Sequence, residues 1–501
     1  MNNITSLIPA FIFLVVAVAM SVVIRQRRLA HAKGKDFESE YYIGSRSLGG
    51  FVLALTTVAT YGSVSSFVGG PGQAWSIGWG WVYMACVQVT ALILLYGLVG
   101  KKLALVSRKI DAITIVDVIR HRYQSNALAV LSSCIIIVFF VATMIAQFVG
   151  GAKIFEAVTG YSYTTGMILF GLTAIIFTTI GGFRGVAFTD VLCGIMMIVG
   201  LVVLAAGILY AGGGYENIMA TIEANHPEMM EPLSGGDMPL TLYFTQWLLV
   251  GVFTFCLPQS AVRCIGAKNV KSMHRAMIIG TVVIGFMMIV STSLGVLSAG
   301  ILTQDLSSYG GSVDNIIPLA IVNTLGPVLA GVAIIGPIAA SISTVSSLLI
   351  VCTSSLVRDI FGHIGKAPNE APRQTKNAAF ASQLITLVIG IIVFVLSLVP
   401  PDVIWKINMF AFGGLETAFC WVLVMGLFWK RANKVGALLS MAGGALAYCV
   451  CMYFGIKFFG MHQIVIGIVV ALVLMIAGSL FANKFAALKN EDNTHLDVYF
   501  G

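Results

Sequence analysis

The chain has 501 residues, of which 58% are apolar and only 10% charged, with a mean hydropathy of +0.95 and a formal net charge of +8. A soluble chain carries about 25% charged residues, so a soluble domain, a disordered segment, a coiled coil and a disulfide scaffold are all excluded. At about 20 residues per crossing, the apolar content supplies an order of a dozen membrane-spanning helices, and the positive charge is read as membrane topology rather than as a nucleic-acid surface.

Apolar runs bounded by charge, proline or glycine predict thirteen spans, near residues 7–24, 48–69, 75–100, 126–152, 163–181, 186–212, 240–261, 276–302, 328–356, 377–398, 403–429, 435–455 and 463–483. The first is not a cleaved leader. Its N-terminal flank lacks positive charge, and the basic cluster Arg25, Arg27 and Arg28 follows it. All 29 lysines and arginines except Lys153, Lys406 and Lys457 fall in loops on the Arg25 side, whereas the segment 213–239 carries acids and no Lys or Arg. Basic loops stay in the cytoplasm, so the expected orientation is N-out, C-in.

The second span is interrupted by Gly62 among the hydroxyls of Thr60, Ser63, Ser65 and Ser66. The seventh contains Pro258 after Phe253 and Thr254. Either break alone reads equally well as a kink. The two lie five spans apart, the offset of two inverted five-helix repeats, 48–212 and 240–429, with an extra helix at 7–24 and two helices over 435–483. Paired interrupted helices point to a transporter's binding site, because backbone freed at membrane depth must be buried in protein or line a cavity.

The ninth span adds Ser341, Ser343, Thr344, Ser346 and Ser347. Hydroxyls there serve either as cation ligands or as small residues for helix packing. Asp190 and Glu416 are acids at membrane depth, costing at least ~2.5 kcal/mol at mid-bilayer, and are functional candidates for that reason. Asp190 also reads as an interfacial residue near Arg184. Glu416, a buried acid, pairs with a polar group or faces a cavity. Gln88 and Gln147 read as substrate contacts or interhelical hydrogen bonds. The nine cysteines form no CxxC pair, the seven histidines are scattered, and no catalytic cluster or soluble domain is present. Neither an enzyme, nor a metal centre, nor an obligate protein partner is expected.

The chain resembles the sodium:solute symporter family along essentially its whole length. The resemblance rests on Gly181-Gly182-Phe183 leading to Thr189-Asp190, and on Ser343-Thr344 followed by Arg358-Asp359. Narrower matches to the bacterial pantothenate-carrying branch are Tyr41–Ser47, Phe67–Gly72, Gln147–Ala152, Ala261–Cys264 and Phe410–Glu416. The resemblance implies a LeuT-like core and alternating access driven by inward Na⁺ flow in a bacterial inner membrane. It implies a sodium site on the carbonyls of Ala59, Gly62 and Ala340 and the hydroxyls of Ser343 and Thr344, with Asp190 assisting sodium release. It also implies a substrate pocket lined by Ser63, Ser65, Ser66, Gln88, Gln147, Phe253 and Thr254. Tyr61 stands where the proline-transporting branch has an acid, which argues against proline. Gln259 and Cys193 depart from the residues common in the family, His and Gln. The expected function is Na⁺-coupled import of a small organic anion, pantothenate first. The alternatives are another carboxylate, such as a monocarboxylate or a sialic acid, and an uncoupled facilitator or channel.

Overall fold

The computed structural model describes residues 4–27, 34–233, 238–368, 370, 372, 378–399, 404–484 and 494–500. Among these, eleven helices are long and apolar enough to cross a bilayer. A twelfth crossing is a bent pair, Gly50–Tyr61 and Ser65–Ile77, which meet at 66°. The longest helix, Tyr163–Ala211, has 49 residues, about 74 Å at the rise of an α-helix, far beyond the ~30 Å hydrocarbon thickness. Gly182 interrupts it with φ 57° and ψ −166°. That conformation favours glycine, and a Cβ there would stand 2.6 Å from the Tyr41 ring. The interruption falls between the expected fifth and sixth spans. Counting the two sides separately yields thirteen apolar segments.

The ninth helix, Pro327–His363, and the eleventh, Ile404–Phe428, form the centre: 83% and 78% of their apolar windows are buried, against 28% for Ile4–Arg27 and for Ala379–Leu396. Composition explains the difference. The stretch Ile335–Ser354 is rich in Ala, Ser, Thr and Gly, small residues that let backbones approach closely, and every residue in it is buried. The peripheral helices present Ile, Val, Leu and Phe outward, as lipid contact requires.

The two interrupted helices are joined at the basic end of the molecule. Leu48 N–H donates to Gly266 O at 3.3 Å and Lys268 N–H to Leu48 O at 3.0 Å, so the entry to the second span pairs with the exit from the seventh. Two short helices, Gly34–Ile43 and Ile115–Tyr123, close the same end. The second starts with a reciprocal cap between Thr114 and Asp117. Arg358 bridges both, with Nη1 2.5 Å from Glu38 Oε2 and Nε 3.0 Å from Asp117 Oδ2.

Several charges expected as loop charges prove to be buried. Arg120, Arg122 and Arg263 are among the largest fully buried side chains, and Arg358 is buried too. Each spends donors on polar groups inside the protein, as Arg122 does on the carbonyls of Gly426 and Trp429. They lie at the basic end but are structural as well as topological charges.

Candidate functional site

The helix Gly50–Tyr61 stops at Gly62, whose backbone turns extended (φ −70°, ψ 99°). The freed Val64 N–H is taken by Gln147 Oε1 at 2.8 Å, and Ser66 N–H returns to Ser63 O at 2.9 Å. Gln147 therefore spends its carbonyl oxygen on holding the break, while its Nε2 is buried without a hydrogen-bond partner among the described residues. The seventh span is also broken: Leu257 is extended (φ −62°, ψ 131°), and Pro258 starts a new helix, Pro258–Gly266. Proline suits a first helical turn because its missing N–H would have no helical acceptor there.

Against the first break lies the ninth helix. Ser343 Oγ donates at 2.7 Å to Ala59 O and at 3.1 Å to Ala340 O, tying the last turn before the break to the small-residue helix. Thr344 Oγ1 lies 3.5 Å from Thr60 O. Of the residues expected at a sodium site, Ala59, Ala340 and Ser343 thus share one hydrogen-bonded cluster. Thr344 reaches the neighbouring carbonyl, and Gly62 supplies the interruption itself. The donor set suits a small hard cation: neutral carbonyl and hydroxyl oxygens beside unwound backbone. A serine hydroxyl can rotate its proton away from one carbonyl and turn a lone pair towards an ion.

Asp190 is buried beside this cluster, and its partner is Arg263 rather than Arg184. Arg263 Nη2 lies 3.4 Å from Asp190 Oδ2, and Thr56 Oγ1 donates to the same oxygen at 2.6 Å. Arg184 instead pairs with Glu40 at 2.8 Å. The Arg263 guanidinium also donates to Thr60 Oγ1, to Ser347 Oγ at 2.7 Å, to Thr56 O at 3.1 Å and to Gln259 O at 2.9 Å. One cation therefore joins both broken helices, the ninth helix and the Asp190 carboxylate. The sequence placed it in a loop. The available signal was its spacing one turn after Gln259, within a helix begun by Pro258.

A small cavity of about 20 Å³ lies at the break, lined by Ser63, Ser65, Ser66 and Gln88 together with Tyr61, Val250, Trp405, Asn408, Met409 and Phe412. It has room for about one water molecule. Ser65 Oγ and Asn408 Oδ1 beside it are buried without partners among the described residues, and buried polar groups are nearly always paired. Gln147, Phe253 and Thr254 do not line the cavity; Thr254 Oγ1 donates to Gly251 O at 3.0 Å. Trp405, Asn408 and Phe412 of the eleventh helix are lining residues that sequence reasoning missed. Glu416, one turn further along that helix, is fully buried, and neither carboxylate oxygen has a hydrogen-bond partner among the described residues.

Val250, Trp405 and Met409 also border a second, much larger cavity of about 1010 Å³, which opens at the end of the molecule opposite the basic one. These three apolar side chains are the partition between vestibule and central cavity. Trp405 is braced by Trp81 at 5.0 Å between ring centroids, edge to face.

A broken-helix crossing, a hydroxyl–carbonyl cluster and a cavity reached from one side define a secondary transporter of the LeuT-like fold. Residues 41–444 match the model of the sodium:solute symporter family, and the chain belongs to that family. It is 39% identical over 483 residues to the sodium/pantothenate symporter of Haemophilus influenzae, covering 96% of this chain and 97% of that one. It is 37% identical to the sodium/pantothenate symporter of Escherichia coli, covering 95% and 97%. In fold it resembles the substrate-bound outward-open state of a Na⁺-coupled sialic acid symporter, with a TM-score of 0.81 at 21% identity over 96% of this chain and 98% of that chain. The protein is therefore a multi-pass, sodium-coupled membrane transporter, not an enzyme.

Proposed function

We propose that the chain imports pantothenate together with Na⁺ across a bacterial cytoplasmic membrane by alternating access. The N-terminus and the large vestibule face outward, and the basic end faces the cytoplasm. The scaffold is two inverted repeats, 48–212 and 240–429. The observation that carries this reading is the Ser343 hydroxyl bridging the Ala59 and Ala340 carbonyls beside a broken helix. Sodium is held by the oxygens of Ala59, Gly62, Ala340, Ser343 and Thr344, and Asp190 draws it towards the cytoplasm once Arg263 releases it.

The substrate takes the polar groups at and behind the small cavity, which widens beyond its present volume of about 20 Å³ to admit it. Pantothenate carries one carboxylate, one amide and two hydroxyls on a branched apolar body. Ser63, Ser65 and Ser66 at the start of a half-helix face the carboxylate, and Gln88, Asn408 and the free Gln147 amide nitrogen meet the amide and hydroxyls. Phe412 and Trp405 cover the apolar part. Among the described residues lining the small cavity there is no Lys or Arg, so bound Na⁺ supplies the compensating charge. Na⁺ and substrate then raise each other's affinity by the same factor.

The test is competition by unlabelled compounds against labelled pantothenate uptake in a strain lacking its own carrier. Pantothenate should compete best, and its carboxyl-amidated analogue much less well. Failure to take up pantothenate, with uptake of a sialic acid or a short monocarboxylate instead, would leave the sodium symport standing and overturn the substrate.

A further inference from the structure

The large vestibule has a charge pattern that the transport site does not explain. Its described lining residues include Lys406, Lys457 and His462 and no Asp or Glu. The surrounding end of the molecule is otherwise acidic, carrying Glu216, Glu223, Glu228 and Glu231 on one segment. Only three lysines lie away from the basic loops. Two of them, Lys406 and Lys457, line this cavity, and Lys457 is exposed.

His462 adds a neutral donor. Its Nδ1 accepts the Ile464 N–H at 3.2 Å, which puts the ring proton on Nε2. Burial and the neighbouring Lys457 push its pKa down to about 4, so this tautomer persists across the physiological range. The loop is anchored to the seventh span, where His462 N–H donates to Thr245 Oγ1 at 2.8 Å. The vestibule floor is the apolar partition of Val250, Trp405 and Met409.

We infer that the vestibule is a loading subsite for organic carboxylates, in which Lys457 and the His462 Nε2–H hold the carboxylate before the partition opens to the central cavity. The subsite rests on the anion-import reading for its purpose but has its own chemistry. A positive cleft with low-dielectric walls raises the local concentration of an anion and its on-rate by about 10- to 1,000-fold, an effect that salt removes.

A native reporter lies in the same cavity: Cys449 lines it and is partly exposed. The experiment compares the rates at which an anionic and a cationic methanethiosulfonate modify Cys449. Each rate is normalised to that of a free thiol and assigned by mass spectrometry in the reconstituted full-length protein. The anionic reagent should be favoured at low ionic strength, and Lys457→Glu should lower that preference about tenfold, the lower end of the steering range. Lys457→Gln should act in the same direction by less, and added choline chloride should erase the difference. Pantothenate uptake by Lys457→Glu should show a KM about tenfold higher at low ionic strength, falling back towards wild type with salt. An unchanged reagent preference in Lys457→Glu, or a wild-type preference for the cationic reagent, would overturn the subsite. A protein that fails to carry pantothenate yet shows the Cys449 pattern would keep the anion subsite and overturn the substrate assignment instead.

Discussion

The two ends of the molecule are closed by different means. At the basic end, buried or mostly buried charges tie separate segments together: Arg358 to Glu38 and Asp117 at 2.5 and 3.0 Å, and Arg184 to Glu40 at 2.8 Å. At the opposite end, an ion pair joining separate segments among the described residues, Lys153 with Asp314, is longer at 3.9 Å, and three apolar side chains divide a wide vestibule from the central cavity. Apolar contacts slide with little cost, whereas buried ions separate only if each finds a new partner. Among the described residues, the basic end is thus held by closer ion pairs than the vestibule end, where apolar packing separates the two cavities. With the proposed orientation, that asymmetry suits loading from the vestibule.

The largest expected effect comes from breaking the deepest charge pair. Arg263→Ala leaves Asp190 buried beside Thr56 alone and should cost about 3–5 kcal/mol of stability. Thermal unfolding in detergent measures it, and Asp190→Asn combined with Arg263→Met should restore part of the loss, since partners in one network are not additive. A single variant as stable as wild type would show that the pair is not formed. Next, Arg358→Gln should unlock the basic end and shift the population towards a conformer open there. Cys264, buried next to Arg263, should become reactive while labelling of Cys449 in the vestibule falls. Each 1.4 kcal/mol of lost closure is about a tenfold shift. Parallel changes at the two cysteines, instead of opposite ones, would break the comparison.

The breaks themselves were legible in the sequence because their cause is local: Gly62 and Pro258 both disfavour a continuous helix through the middle of a span. The Ser343–Thr344 segment stood open between cation ligands and helix packing on its residues alone, and only the family resemblance pointed to a sodium site. Arg263 was not, because a lone arginine after an apolar run looks like a topological charge until the fold brings Asp190, from another span, to meet it. Gln147 stood open between substrate contact and structural hydrogen bond, and its oxygen is committed to Val64 N–H. The contribution of Trp405 and Asn408 depends on how the eleventh helix packs against the first break, and no local pattern encodes it.

A smaller effect is expected at the apolar partition. Trp405→Ala removes the bulkiest of the three side chains shared by both cavities and should raise Na⁺-independent leak of substrate from loaded proteoliposomes several-fold. No change in leak would place the barrier elsewhere. The smallest concerns Asp117, which lies in a short helix outside the spans. Burial pushes its carboxyl up, but the Arg358 guanidinium and the Ile113 N–H outweigh burial and hold it below the ordinary carboxylate range. A carboxyl depressed in the folded state stabilises above its unfolded pKa of about 3.9 and loses that contribution as pH falls through the folded value. The stability gap between wild type and Asp117→Asn should therefore be constant from pH 5 to 8 and shrink only below about pH 4. A gap that closed near neutral pH would contradict the pairing.

The coupling of sodium to substrate is tested most directly by uptake of labelled pantothenate into sealed proteoliposomes under an imposed inward Na⁺ gradient, with Ser343→Ala/Thr344→Ala in parallel. Wild type should accumulate pantothenate above the equilibrium level. The double variant should need far more Na⁺ for half-maximal uptake, with substrate recognition less affected at saturating Na⁺, because carbonyl oxygens alone leave a small cation under-coordinated. Equilibration without accumulation in wild type, or an unchanged Na⁺ dependence in the double variant, would contradict the account.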